Sequence, residues 1–206
     1  MKKTIIIEYT PRNQRSRTKR ILETLKSHIS NNEIETIDLS QNLPPLFDNH
    51  SLGAYYKRNY GGETLSSQEE ESMQKFDYYV EKILQADTII IAYPMFNFSM
   101  PAAVKAFFDG MLQKGKTWDI NESGYIGLLN NKRMVLVTSS GGDYSQGTPM
   151  ESMDLSTPMI KQYASFVGIK YLHIIAAQGL ANSEKEEEII AKTENTAAEI
   201  ASIISN

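Results

Sequence analysis

The sequence predicts an α/β fold: an open parallel sheet with helices packed on both faces. Two patterns carry that expectation. The runs Thr88-Ile89-Ile90-Ile91-Ala92 and Arg133 to Ser139 (RMVLVTS) are apolar and β-branched without alternation, as strands buried on both faces must be. Between the strand candidates lie segments with apolar residues at helical spacing, so strands and helices alternate as βαβ units. At 206 residues the chain suits one domain, residues 1–206, with a sizeable core. No repeat, low-complexity tract or linker divides it.

Thr4 to Tyr9 is the first strand. Met1-Lys2-Lys3 before it resembles the start of a signal peptide, but the apolar stretch is too short and Glu8 interrupts it. Ser16 to Ile29 is a helix with Ile21, Leu22, Leu25 and Ile29 on one face. Glu33 to Leu39 is a second, more lateral strand. Residues 40–62 carry Pro44-Pro45, Leu46, Phe47, Leu52, Tyr55, Tyr56 and Tyr60. Two readings stand: a subunit interface or pocket rim that buries the aromatics, or a surface meander with a short helix near Leu52 to Tyr56. Ser66 and Glu69 form a capping box ahead of a helix marked by Met73, Phe76, Val80, Ile83 and Leu84.

The strand from Asp87 ends near Tyr93-Pro94, because proline cannot donate to a ladder. A helix opens at Pro101, with Val104, Phe107, Phe108 and Met111 on one face and Gly110 free to loosen or end it. Residues 114–129 form an irregular excursion or small hairpin. Arg133 to Ser139 is the fourth sheet strand, Ser140 to Pro149 a glycine-rich loop. A helix spans about Asp154 to Val167, with Pro158 in its first turn and Gly168 to end it. Ile169 to Ala177 is the last strand. Ser183 and Glu186 read as a second capping box before a final helix lined by Ile189, Ile190, Ala197, Ile200, Ala201 and Ile204.

Composition excludes several classes. There is no cysteine, so disulfides, thiolate nucleophiles and cysteine-held metals are out; this fits a cytoplasmic protein. No run of 18 apolar residues predicts a membrane helix. A formal net charge of −4 is too mild for nucleic-acid binding. His28, His50 and His173 are scattered and suggest neither a metal site nor a triad. Lys105 and Asp109 read as structural, and no catalytic residue is assigned.

Three loops carry the chemistry. Pro94-Met95-Phe96-Asn97-Phe98-Ser99-Met100 is an apolar, aromatic loop at the carboxyl end of a central strand, where open α/β sheets bind ligands. Its backbone N–H groups and Asn97 suit the edge of a flat polar ring; the alternative is a loop plugged by its own side chains. Thr10 to Thr18 joins the first strand to the first helix, whose N-terminus suits a phosphate, with hydroxyls from Ser16 and Thr18 and charge from Arg15 or Arg17. The alternative is an N-capped helix with solvated arginines. It is not a Walker loop. Thr138-Ser139-Ser140-Gly141-Gly142 follows the fourth strand, and its glycines permit close approach to a planar ligand.

These motifs resemble a known family. PMFNFSMPAAVKAFFD is similar to the signature of FMN-dependent NADH-azoreductases, within the flavodoxin-like quinone reductases. The resemblance spans nearly the whole chain. It implies a flavodoxin-like three-layer sandwich with a five-stranded parallel sheet in the order 2-1-3-4-5. It implies that Pro94, Met95, Phe96, Asn97 and Phe98 line the flavin ring. It implies that Thr10, Ser16, Arg17 and Thr18 hold the FMN phosphate, and that Ser139, Ser140, Gly141 and Gly142 close over the other ring edge. Ser140 stands where the family usually has arginine, and Thr10 where it often has serine. Trp118 matches an aromatic that helps form the substrate pocket; a core or interface tryptophan is the alternative. The implied protein is a homodimer using FMN and NADH (or NADPH) to reduce quinones and azo compounds in two steps. The implied setting has no nucleic acid and no membrane. A non-enzymatic flavin-binding electron carrier or redox sensor, and a flavin-free hydrolase-type or structural module, are the other classes.

Overall fold

The computed structural model describes residues 2–30 and 32–205; Met1, Asn31 and Asn206 lie outside them. In chain order the elements are β1 (Lys2–Glu8), α1 (Arg17–His28), β2 (Asn32–Asp38), α2 (Asn49–Asn59) and α3 (Ser67–Gln85). They continue with β3 (Thr88–Pro94), α4 (Ala102–Met111), β4 (Trp118–Asn121), β5 (Gly124–Gly127) and β6 (Arg133–Ser139). The last three are α5 (Ser156–Phe166), β7 (Tyr171–Ala177) and α6 (Glu186–Ser205). Five strands pair in parallel in the order β2-β1-β3-β6-β7. Counted along the sheet alone, that is 2-1-3-4-5, as expected.

The unalternated strands explain the layers. In β3 every residue from Thr88 to Tyr93 is buried. Ile89, Ile91 and Tyr93 face a core filled by Tyr79, Val80 and Ile83 of α3, Val104, Phe107 and Phe108 of α4, and Ile160 and Ala164 of α5. Ile90 and Ala92 face the opposite core, built with Ile21, Leu22 and Leu25 of α1 and Ile190, Ala197 and Ile200 of α6. With two buried faces a strand has no polar side to show, so period-2 alternation disappears.

Several boundaries differ from the sequence reading for local reasons. Pro101 is the N-cap of α4 rather than its first residue. Gly110 neither loosens nor ends α4, which runs to Met111; a Cβ there would lie 2.9 Å from Cδ1 of Phe76, so this glycine admits α3. The Asp154 carboxylate accepts from the N–H groups of Ser156 and Thr157, and α5 starts two residues later than expected. Ser183 does not cap α6: the helix starts at Glu186, whose carboxylate is taken by Arg17 instead.

Residues 40–62 hold a full helix, α2, with a capping box between Asp48 and Ser51. Phe47 and Tyr55 from this segment join Met73 and Phe76 of α3 in a small third core. Leu43, Leu46, Leu52, Tyr56 and Tyr60 stay exposed. The excursion after α4 is a two-stranded antiparallel hairpin, β4–β5. It docks backbone to backbone on the turn after α5: a Cβ on Gly127 would lie 2.0 Å from the Gly168 nitrogen, and Gly168 has φ +86°.

Candidate functional site

Strand order reverses beside β1, and the loops leaving β1, β3 and β6 gather at one rim of the sheet. Between them lies a cavity of about 470 Å³, within the range of small-molecule sites. Its walls are Pro11, Arg12, Ser16 and Arg17 after β1; Pro94, Met95 and Phe96 after β3; and Ser139, Ser140 and Gly141 after β6. A fourth wall, Leu180, Ala181, Ser183 and Glu186, comes from the segment after β7. So part of each of the three motifs meets at one cavity, at the topological switch point, while Thr10, Thr18, Asn97, Phe98 and Gly142 are not in its wall.

The first loop folds from Thr10 through a short 3-10 turn at Asn13–Arg15 into α1. Ser16 is the N-cap, its hydroxyl accepting from the Lys19 N–H at 3.2 Å. Among the described residues no acceptor meets the N–H groups of Arg17 and Thr18, the usual state of a helix's first turn. Thr10 is buried and its hydroxyl has no hydrogen-bond partner. An unpartnered buried hydroxyl is costly, about 1–3 kcal/mol. Thr18 differs from the expectation of a free hydroxyl: its Oγ1 lies 2.7 Å from Oγ of Ser139, tying α1 to β6 beneath the cavity. The Arg17 guanidinium donates two hydrogen bonds to Glu186, at 2.6 and 2.8 Å. That pairing holds the Glu186 carboxyl below its ordinary range and raises Arg17.

The second loop is a tight turn. Phe96 and Ser99 exchange both backbone hydrogen bonds, at 2.9 and 3.0 Å, and between them Asn97 (φ 47°) and Phe98 (φ 72°) are both left-handed. Two consecutive positive φ values are the mark of a type I′ turn. Asparagine tolerates that region; a phenylalanine there is strained. Only some of the loop's N–H groups are open to a ring edge. Met95 N–H donates to the Ser139 carbonyl at 2.8 Å and Phe96 N–H to the Ser99 carbonyl. Those of Asn97 and Phe98 meet no acceptor among the described residues. The Asn97 side chain is exposed. Behind the loop, the Tyr93 hydroxyl sits 2.9 Å from Oγ of Ser156, and burial pushes its phenol well above the ordinary range.

In the third loop Ser140 is held at every polar atom. Its N–H donates to the Ala177 carbonyl, its carbonyl accepts from Leu180 N–H, and its hydroxyl donates to the Gly142 carbonyl at 2.9 Å. Gly142 lies behind the wall, against the Tyr144 ring. Trp118 is not in the cavity wall. It is 7% exposed, with its ring 5.2 Å from Phe166 and 5.6 Å from Tyr125. Its indole N–H has no partner among the described residues. Leu155, just ahead of α5, donates to the Phe98 carbonyl, whereas Phe166 closes that helix of 11 residues. Trp118 thus sits roughly 16 Å along α5 from the turn.

A family model described as Flavodoxin-like fold matches residues 2–201. An FMN-dependent NADH:quinone oxidoreductase from Hydrogenovibrio crunogenus is 35% identical over 150 residues, 73% of this chain and 72% of that one. The chain belongs to the flavodoxin-like FMN-dependent NADH:quinone oxidoreductase family. FMN-dependent NADH:quinone oxidoreductase 3 from Bacillus anthracis is 32% identical over 171 residues, 82% of this chain and 81% of that one. The crystal structure of an FMN-dependent NADH-azoreductase from Bacillus anthracis in complex with FMN superposes with a TM-score of 0.84. Its sequence is 28% identical, with 98% of this chain and 100% of that one covered.

For a member of this quinone oxidoreductase family, the sequence reading lacked the fourth wall. Leu180, Ala181, Ser183 and Glu186 follow the fifth sheet strand, whose carboxyl end must reach the same rim in a parallel sheet. That topological argument would have found them; taking Ser183 and Glu186 as a capping pair hid them.

Proposed function

We propose that this protein is an FMN-dependent NADH:quinone oxidoreductase that also reduces azo compounds, with FMN seated in the cavity at the rim of β1, β3 and β6. The single observation that carries the site is the buried, unpartnered Thr10 hydroxyl in the loop that leads into the open first turn of α1. A buried donor without an acceptor is rare in a folded protein, and a phosphate oxygen supplies what it lacks. The hydroxyls of Thr10 and Ser16 and the N–H groups of Arg17 and Thr18 would hold the phosphate, aided by the α1 dipole. Pro94, Met95, Phe96, Asn97 and Phe98 would line the ring on one side, and Ser139, Ser140 and Gly141 on the other, with Gly142 behind them supporting the turn. Thr18 contributes through its backbone, since its hydroxyl is engaged with Ser139.

Bound FMN supplies reversible two-electron chemistry between NADH and a quinone or azo acceptor. The chain's own part is orientation and electrostatics. The free N–H groups of Asn97 and Phe98 are fixed by a turn whose ends are both hydrogen-bonded, so they favour negative charge at the ring edge without reorganising. No side chain is assigned as general acid or base.

The active form in this reading is a homodimer in the cytoplasm, where NADH is the available donor. Support comes from Leu43, Leu46, Leu52, Tyr56 and Tyr60, five large apolar or aromatic side chains of one segment that stay exposed and that a second subunit would cover. Trp118 and its hairpin would then complete a site from the neighbouring subunit rather than from their own. The test is steady-state oxidation of NADH by purified protein with menadione as acceptor. Turnover that depends on FMN and on menadione supports the reading. A flavin-loaded protein that NADH cannot reduce contradicts it and favours an electron carrier.

A further inference from the structure

The Arg17–Glu186 pair puts a carboxylate into the wall of a cavity otherwise suited to an anion. Glu186 is 169 residues away in sequence from the arginine it takes. It reaches the site because α6 packs along α1. Arg17 is the only wall arginine whose side chain is so engaged among the described residues; the Arg12 guanidinium, which also lines the cavity, makes no hydrogen bond or ion pair among them, though its charge adds to that of Arg17 in holding Glu186 ionised. Two further links bind the same helices away from the cavity: Arg20 to Glu187 and Arg20 to Glu194. The α1–α6 contact therefore does not depend on Glu186 for its cohesion. A bidentate carboxylate–guanidinium pair occupies the donors that would otherwise turn to a phosphate, and the carboxylate offsets the positive charge that Arg17 would otherwise present to a dianion nearby.

Resting on the reading of this cavity as the FMN cradle, we propose that Glu186 is an affinity-setting residue: it holds the Arg17 guanidinium away from the FMN phosphate and so keeps cofactor binding weaker than the cradle allows. The Arg17 N–H still serves the phosphate; its side chain belongs to Glu186. Ligand discrimination follows. The residue acts on the phosphate-bearing flavin and is indifferent to riboflavin, which has the same ring and no phosphate.

The experiment is titration of the apoprotein with FMN and with riboflavin, followed by flavin fluorescence, for wild type, Glu186→Gln, Glu187→Gln and Arg17→Gln. A circular dichroism melt of each variant monitors folding. Glu186→Gln is expected to lower the FMN Kd roughly fivefold, the effect of one unit charge at close range in water, and to leave the riboflavin Kd unchanged. Glu187→Gln, which loosens the same helix pair outside the cavity, is expected to leave both constants unchanged. Arg17→Gln is expected to raise the FMN Kd, because Glu186 then faces the phosphate unpaired. An unchanged or raised FMN Kd in folded Glu186→Gln overturns the proposal, as does an equal shift for riboflavin. A wild-type apoprotein that binds riboflavin as tightly as FMN, or neither, overturns the cofactor reading and this proposal together. Normal wild-type FMN binding with an unresponsive Glu186→Gln overturns this proposal alone.

Discussion

Single atoms decide much of the site. Thr10 keeps a hydroxyl in the interior with nothing to bond. Thr10→Val removes that burden while preserving shape, so the apoprotein should be no less stable than wild type by urea unfolding. FMN affinity should nevertheless fall by about 1.5–3 kcal/mol, the worth of a hydrogen bond to a charged group, and Thr10→Ser should restore most of it. A threonine bonded within the fold would instead lose stability in the valine variant. Asn97 poses a different question. Its side chain makes no hydrogen bond among the described residues; its backbone, at φ 47°, is what the turn needs. Forcing a residue with a Cβ and no local hydrogen-bonding group into that region costs about 1–2 kcal/mol. Asn97→Ala should therefore lower stability by roughly 1 kcal/mol, and Asn97→Gly should be nearly neutral, because glycine adopts positive φ freely. Equal melting temperatures for the two variants would contradict the conformational role.

At the scale of elements, α3 is joined to α2 by charge and to Phe47, just ahead of α2, by aromatic stacking. Lys57 hydrogen-bonds the Glu69 carboxylate at 2.8 Å, and that contact, together with the capping box at Ser66, lowers Glu69 to about 2. A depressed carboxyl contributes stability that is complete above its ordinary value of 4.5 and is lost as pH falls through about 2. The α2–α3 junction should accordingly loosen between those limits, and Lys57→Ala should raise the Glu69 midpoint measured by carboxyl NMR without returning it fully, since the capping box persists. Gly110 tests the same junction from α4. Alanine is the better helix former by about 1 kcal/mol, yet its Cβ would press on Phe76, whose ring is stacked on Phe47 at 4.2 Å and has nowhere to go. Gly110→Ala should be destabilising by roughly 1 kcal/mol or more, the usual sign of overpacking, in a urea melt.

Over the whole molecule, what the sequence made legible were properties that neighbours in the chain determine. Unalternated runs such as Thr88 to Ala92 gave parallel strands, the capping box at Ser66 and Glu69 gave α3, and the hydroxyl at Ser16 gave the start of α1. What stayed hidden were contacts set by the packing of distant segments. Thr18 reaches Ser139 across 121 residues and Arg17 reaches Glu186 across 169, so neither hydroxyl nor guanidinium could be assigned from its own motif. The left-handed pair Asn97-Phe98 was equally invisible, because phenylalanine carries no signal for positive φ. At this scale the oligomer matters too. Sedimentation under assay conditions should give a dimer, and a fully active monomer retaining FMN would remove Trp118 from any shared site. The most direct test of the account is a crystal structure of the protein with FMN bound. The account predicts the phosphate within hydrogen-bonding distance of the Thr10 hydroxyl and of the Arg17 and Thr18 N–H groups, with the ring against Met95 to Phe98. A phosphate bound elsewhere, with the Thr10 hydroxyl still unpartnered, would contradict it.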